Sequence, residues 1–130
     1  MSDPVAEAQE LLVDTIETFE KLEVVRLLAR VEPQSIDAMA VPLAMSPPNV
    51  RETLRELEAH GIVREDAAGW RLDPRSPKYA ATRELIRIYE QDRVGVMNRM
   101  TKIALERIRV NAARTFADAF VLRSKKKEDD

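Results

Sequence analysis

The sequence predicts a mainly α-helical fold that includes one short β-hairpin. Of the 130 residues, 45% are hydrophobic, only 5% are aromatic and only three are glycine, a composition that favours helices over sheets. Apolar residues recur at intervals of three and four along most of the chain, which is the period of an amphipathic helix. A chain of this length suits one domain with its own core.

Two helical segments are expected before Pro33. The first has apolar residues with helical spacing at Val5, Ala8, Leu12, Ile16 and Phe19. A second apolar set begins at Leu22 and ends at Val31, because a proline disfavours helix at the residue before it. The sequence leaves open whether the chain breaks or bends between Phe19 and Lys21.

Two further helices carry clear start signals. Ser35 can cap a short helix, and Ser46, followed by two prolines, can cap the next, because a serine hydroxyl accepts a free amide proton of the first turn. Only Ala44 and Met45 separate the two helices. Gly61 ends the second helix by supplying a left-handed residue. This helix is expected to bury a stripe formed by Val50, Leu54 and Leu57.

A β-hairpin is expected directly after Gly61. Ile62 and Val63 begin a strand, the segment from Asp66 to Gly69 has turn character, and Trp70 begins the return strand. These two short strands are all the sheet that the sequence predicts.

The C-terminal region is expected to be helical. From Lys78 to about Leu122 there is no proline and only one glycine, so one long helix or two shorter ones fill this region, with Gly95 as the expected kink. The apolar residues are too dense for an exposed helix and too irregular for strict heptads, so they need a partner surface. The charged segment from Ser124 to Asp130 is expected to be disordered.

This order of elements is that of a winged helix-turn-helix, in which the hairpin forms the wing. The predicted regions are an N-terminal helix over 1–19, the winged helix-turn-helix over 20–76, a C-terminal helical dimerisation region over 77–123 and a charged tail over 124–130.

Three stretches carry a resemblance to known proteins: Ser35-Ile-Asp-Ala-Met-Ala, Ser46-Pro-Pro-Asn-Val-Arg-Glu-Thr-Leu-Arg-Glu-Leu-Glu-Ala-His-Gly-Ile-Val-Arg and Gly69-Trp-Arg-Leu. Over roughly residues 20 to 75, the chain resembles bacterial winged-helix transcriptional regulators of the MarR and ArsR type. The resemblance implies that the helix after Ser46 enters the DNA major groove, that the wing contacts the backbone or minor groove, and that flanking helices form a homodimer. The metal ligands of many ArsR-type sensors and the basic wing and closing threonine-glycine pattern of MarR-type proteins are absent. Neither subfamily's effector can therefore be carried over, and the sequence leaves open whether a small-molecule effector exists.

The helix that follows Ser46 has a polar side opposite its apolar stripe, and this side can contact DNA bases. There Arg55 can bind a guanine, Asn49 an adenine and Glu52 the amino group of a cytosine, while the Ser46 hydroxyl suits a phosphate. Arginines on or just after the hairpin can contact the DNA backbone. The predicted DNA-binding set is Ser46, Asn49, Arg51, Glu52, Arg55, Arg64, Arg71 and Arg75.

The charge distribution supports an alternative to DNA binding. Residues 1–78 contain nine Lys/Arg against fifteen Asp/Glu, a net charge of −6, whereas residues 79–130 contain twelve against eight, a net charge of +4. A net negative charge on the part that contains the predicted DNA-binding helix is unfavourable for binding to DNA phosphates. In this interpretation, Arg51 and Arg55 form ion pairs with neighbouring glutamates along the helix. The chain would then be a winged-helix protein-interaction module that does not bind DNA.

A homodimer through the N- and C-terminal helices is expected, because a winged helix alone cannot cover so many apolar positions. The alternative is that these helices fold back to complete a monomeric core. The predicted dimerisation set is Leu12, Ile16, Tyr89, Met97, Met100, Ile108, Phe116 and Phe120.

Other function classes find little support. The chain has no cysteine and a single histidine, His60, so it has no thiolate or multi-histidine metal site. No nucleophile with a neighbouring base and no glycine-rich phosphate loop is visible, so neither catalysis nor a cofactor is expected. No segment has the length of a membrane span or the pattern of a secretory signal, so a cytoplasmic protein is expected.

Overall fold

The computed structural model describes the backbone of residues 3–128 and the side chains of residues 3–119 and 121. This part of the chain forms six helices and a two-stranded antiparallel sheet, which confirms the predicted fold class. In chain order, the elements are α1 (Pro4–Asp14), α2 (Phe19–Arg30), α3 (Ile36–Leu43), α4 (Pro47–Ala59), β1 (Val63–Asp66), β2 (Gly69–Leu72), α5 (Tyr79–Gln91) and α6 (Arg93–Glu128). The chain divides into a first compact unit that ends at Met100 and a second that begins at Thr101.

The N-terminal segment forms two helices because side chains cap both of them. The Asp3 carboxylate accepts a hydrogen bond from the amide of Val5 at 3.0 Å. Thr18 Oγ1 accepts one from the amide of Lys21 at 3.2 Å, so a new helix begins at Phe19. The first helix thus ends at Asp14, earlier than the predicted boundary at residue 19. Ile16 lies in the connection, and Phe19 begins α2 instead of ending the first helix, so the segment from Phe19 to Lys21 is the first turn of a helix.

α3 and α4 are joined by the tight turn that the sequence predicts. Ser35 Oγ accepts a hydrogen bond from the amide of Ala38 at 3.1 Å, and Ser46 Oγ accepts one from the amide of Asn49 at 3.3 Å. Between the helices, Ala44 adopts a left-handed conformation with a φ of 53°. The chain thus reverses within two residues, and α4 starts at Pro47 as expected.

The wing is a hairpin in which Val63 lies opposite Leu72 and Asp66 opposite Gly69. Gln34, in the loop between α2 and α3, adds a β-bridge to Trp70 through backbone hydrogen bonds of 3.0 and 2.8 Å. The sequence did not predict this bridge. A Cβ at Gly69 would lie 2.8 Å from the carbonyl oxygen of Gln34, so glycine allows the loop and the wing to approach each other.

The core of the first unit receives apolar side chains from all the helices and strands described above. α1 packs against α5, and α2 contacts α3, α4, α5 and β2. The largest fully buried side chains include Trp70, Tyr89, Ile16, Leu22, Leu28 and Met39. Burial of these groups is the main source of stability for this unit.

The C-terminal region forms two helices that separate at Asp92, three residues before the expected kink at Gly95. Asp92 Oδ1 accepts a hydrogen bond from the amide of Gly95 at 3.0 Å, and a Cβ at Gly95 would overlap the Asp92 carboxylate. Gly95 therefore permits a capping contact at the start of α6 rather than kinking the helix.

α6 continues to Glu128, whereas the sequence predicted a disordered tail from Ser124. No glycine or proline follows Gly95, and cationic side chains near a helix C-terminus interact favourably with its dipole. Asp129 and Asp130 lie outside the described residues. Within the described part of the chain, no helix combines the length and the apolar character that a membrane crossing requires.

Candidate nucleic-acid interface

α4 separates an apolar face from a polar one. Val50, Leu54 and Leu57 are completely buried, which confirms the predicted inward stripe. Thr53 is also buried, and its hydroxyl donates a hydrogen bond of 2.9 Å to the carbonyl oxygen of Asn49. The predicted reading residues are exposed on the same helix or at its cap: Ser46, Asn49, Arg51, Glu52 and Arg55.

Arg55 is held in place by two neighbours. Its Nη1 lies 3.2 Å from Glu58 Oε1, and its Cζ lies 5.7 Å from the centre of the Trp70 ring. The contact with Glu58 is one of the pairs along the helix that the protein-interaction alternative predicts. The contact with Trp70 connects α4 to the wing. Arg51 forms no ion pair with a residue that the structure describes. The side chain of Arg55 is still 57% exposed.

Both wing arginines lie within ion-pair distance of one acid on the same hairpin. Asp66 Oδ2 lies 2.8 Å from Arg71 Nε and 3.8 Å from Arg64 Nη2. The pKa of Asp66 is lowered by the hydrogen bond from the amide of Ala68 and further by Arg71. The sequence did not reveal this pairing. Arg75, just after the wing, is exposed.

Acidic side chains line one side of α4. A groove of about 460 Å³ runs beside it, and its lining includes Glu20, Glu52 and Glu56. Lys21 lies in the same groove with only 8% of its side chain exposed, and its Nζ is 2.9 Å from Glu17 and 3.2 Å from Glu56. The groove therefore has an acidic rim over a cation that is already paired.

A second polar cluster fixes the junction of α5 and α6 against α2. The Tyr89 hydroxyl donates a hydrogen bond to Glu23, and Arg93 Nη2 lies 2.8 Å from the same carboxylate. Arg93 and Arg26 also lie over the Tyr89 ring, at 5.4 and 5.7 Å from its centre. Burial and the hydrogen bond to Glu23 raise the pKa of Tyr89. This cluster orients the first turn of α6.

The predicted dimerisation residues divide into two groups. Four of them are buried within the first unit by the chain's own residues, namely Leu12, Ile16, Tyr89 and Met100. Their apolar surface is used in the core of the first unit, so they offer almost no area to a second copy. Three are exposed, with exposed fractions of 40% for Met97, 64% for Ile108 and 74% for Phe116. The side chain of Phe120 lies outside the described residues.

Comparison with known proteins gives one match. A family model described as HVO_A0114 matches residues 18–79, from the cap of α2 to the first residue of α5. This segment contains the whole helix-turn-helix and the wing but slightly less than half of the chain. No curated protein and no solved structure matches the chain.

Proposed function

We propose that the protein is a homodimeric DNA-binding transcriptional regulator, of the general MarR/ArsR-like type, that reads the major groove with α4 and acts in the cytoplasm. The observation that carries the proposal is the exposed polar face of α4, which lies opposite a fully buried stripe and next to a wing. A capped helix of this kind, presented on a rigid core, suits insertion into a major groove.

Each exposed residue has a role in this proposal. Arg55 binds a guanine and Asn49 an adenine, because their side chains match the hydrogen-bonding edges of those bases. Glu52 accepts a hydrogen bond from a cytosine amino group. Arg51 and Ser46, near the start of the helix, contact phosphates.

The ion pairs of the wing determine how strongly the wing can bind the DNA backbone. Arg64 and Arg71 must exchange Asp66 for a phosphate before they can contact the DNA backbone. Arg75 is exposed and can make such a contact directly. In a homodimer, two copies of α4 face successive major grooves about 34 Å apart.

Binding measurements on a duplex selected from genomic fragments test the proposal. Arg55→Ala should relax the preference for one base pair, whereas Arg75→Ala should weaken binding to all sequences alike and lower the salt slope by about one. Arg99→Ala, which removes an exposed arginine of α6, is the matched control and should retain wild-type binding. If selection enriches no sequence and Arg55→Ala changes nothing, the reading role of α4 is wrong.

A second candidate, a protein-interaction module, is favoured by the acids around α4. Glu58 pairs with Arg55, Asp66 pairs with the wing arginines, and Glu20 and Glu52 line the adjacent groove. Such a surface suits a basic protein partner. Under this candidate, Glu20→Gln/Glu52→Gln should abolish binding of that partner, and the wild-type protein should not bind duplex DNA at low salt.

A further inference from the structure

Arg55, the proposed reading arginine, is restrained by two neighbours of different chemistry. Its guanidinium group lies 3.2 Å from the carboxylate of Glu58, which is one turn further along α4, and 5.7 Å from the centre of the Trp70 ring on β2. Because 57% of its side chain is exposed, these contacts restrain Arg55 without covering it. Trp70 has no role in the function proposed above, and its contact with Arg55 gives it one.

Trp70 is fixed in place from both sides of its strand. On one side it lies opposite Glu65 of β1. On the other side its backbone donates a hydrogen bond of 2.8 Å to Gln34 and accepts one of 3.0 Å from it. Only 1% of the residue is exposed. A side chain that is packed over nearly all of its surface, on a backbone held at both edges, is a rigid support for Arg55.

The indole nitrogen of Trp70 indicates that folding stability alone does not explain a tryptophan at this position. Nε1 is buried and donates no hydrogen bond to any residue that the structure describes. A buried donor without an acceptor costs folding free energy, and a phenylalanine would place an aromatic ring here without that cost. What tryptophan adds is the aromatic face that attracts a cation most strongly. The residue therefore suits a role in holding a cation.

The two restraints on Arg55 differ in what they leave available for DNA. Glu58 neutralises part of the charge of Arg55 and accepts a hydrogen bond from Nη1, a donor that a guanine would also use. The Trp70 ring attracts the guanidinium group through its quadrupole, so it adds no negative charge and occupies no N–H donor as a carboxylate does. A guanine can therefore replace Glu58 while the contact with Trp70 persists.

We infer that Trp70 is a positioning residue for base recognition, whose ring holds the guanidinium group of Arg55 in the orientation that contacts the base. The inference deepens the proposed function and rests on it, since it names what orients the proposed reading arginine. A long side chain loses rotamer freedom when it binds, and a restraint already present in the free protein lowers that cost. Because Trp70 acts through Arg55, its loss should reduce the preference for one base pair more than the affinity for DNA in general.

Two substitutions at position 70 separate this role from packing. Trp70→Leu and Trp70→Phe both remove buried volume, but only phenylalanine retains an aromatic face. Affinities are measured for the selected duplex and for its variants at the base pair that Arg55→Ala identifies. Trp70→Leu should reduce the discrimination between these duplexes about three- to fivefold, and Trp70→Phe less than about twofold. Leu72→Val, which shortens another buried side chain of β2, is the control for wing stability and should retain full discrimination.

The mobility of Arg55 in the free protein tests the restraint without DNA and without a substitution in the core. It is measured by ¹⁵N relaxation of the arginine Nε atoms. In Glu58→Gln, which removes the ion pair, Arg55 should remain more ordered than Arg51, because the Trp70 ring still holds it. Arg51 is exposed on the same helix and serves as the internal reference. Equal disorder of the two arginines would overturn the inference.

A double-mutant cycle shows whether Trp70 acts through Arg55. In the Arg55→Ala background, Trp70→Leu should change the base preference no further, because no guanidinium group remains to be positioned. Equal losses in the two backgrounds, equal losses in Trp70→Leu and Trp70→Phe, or full discrimination in Trp70→Leu would overturn the inference and leave the reading role of α4 standing. A wild-type protein that binds every duplex alike would contradict the proposed function, and this inference with it.

Discussion

At the scale of single residues, Lys21 has the role that was hardest to foresee. Its ammonium group connects Glu17 on one side with Glu56 of α4 on the other. Burial by itself lowers the pKa of Lys21, but the hydrogen bonds to both glutamates outweigh it and raise the pKa overall. The spacing of residues along one helix predicts pairs within that helix, whereas Glu56 is distant in sequence. Only the packing of α2 on α4 brings them together.

Lys21→Met should reduce the free energy of unfolding by about 1–2 kcal/mol, because it leaves two carboxylates without their cation. Since the folded-state pKa is raised, the contribution of Lys21 is complete below the unfolded-state pKa near 10.4 and is lost as pH rises through the folded-state value. Urea titrations followed by Trp70 fluorescence at pH 8 and above pH 10 measure this. Lys102→Met, at an exposed site, is the control and should change stability by less than about 0.5 kcal/mol. An equal loss in both variants would show that the pairs of Lys21 contribute nothing.

Asp66 is expected to limit DNA binding, because it forms ion pairs with two arginines of the wing. Asp66→Asn should release Arg71 and Arg64 for the DNA backbone, tighten binding to all sequences several-fold and raise the salt slope by about one. Fluorescence anisotropy of a labelled duplex across a salt series measures both effects. Glu65→Gln removes the same charge from an exposed neighbour and is the matched control. Equal tightening in the two variants would mean that net charge alone, and not release of the arginines, controls affinity.

At the scale of elements, the caps determined how much of the fold could be predicted. Ser35, Ser46 and Gly61 act on their own neighbours within a few residues, so their signals can be recognised in the sequence and the predicted helix boundaries are confirmed. The break at Asp92 was missed because glycine is the stronger general signal and Gly95 lies only three residues away. The Gln34 bridge was missed because it joins residues that are far apart in sequence.

Gly95→Ala tests how α6 begins. Alanine in a helix normally stabilises by about 1 kcal/mol relative to glycine, but here its Cβ would displace the Asp92 carboxylate and remove a cap of similar strength. We therefore expect almost no net change in the wild-type background. In the Asp92→Ala background, where there is no cap to lose, the same change should stabilise by about 1 kcal/mol. Thermal and urea unfolding of the wild type, the two single variants and the double variant give the coupling free energy between Asp92 and Gly95. If Gly95→Ala has the same effect in both backgrounds, the capping role of Asp92 is wrong.

The candidate interface was predictable only in part. The exposed positions of α4 follow from its buried stripe, because one stripe fixes the orientation of a regular helix. The contacts of those residues depend on neighbouring elements. Trp70 reaches Arg55 from the wing, and the hairpin register brings Asp66 to both wing arginines. Such pairings reflect tertiary structure and leave no periodic signal.

At the scale of the whole molecule, charge and apolar surface are divided between the two parts of the chain. The acidic N-terminal part contains α4, the proposed reading helix, and the basic C-terminal part contains the exposed apolar side chains of α6. The proposed homodimer would cover exposed apolar side chains and double the number of proposed reading helices. DNA binding then requires that two heads together overcome the acidic groups around each α4.

The measurement that tests this account most directly is light scattering of the purified protein, with and without a pool of short genomic duplexes, at low and then moderate salt. The account predicts the mass of a dimer that gains the mass of a duplex at low salt and loses it as salt rises. A dimer that does not bind DNA at any salt concentration would contradict the proposed role as a DNA-binding regulator and favour the protein-interaction module.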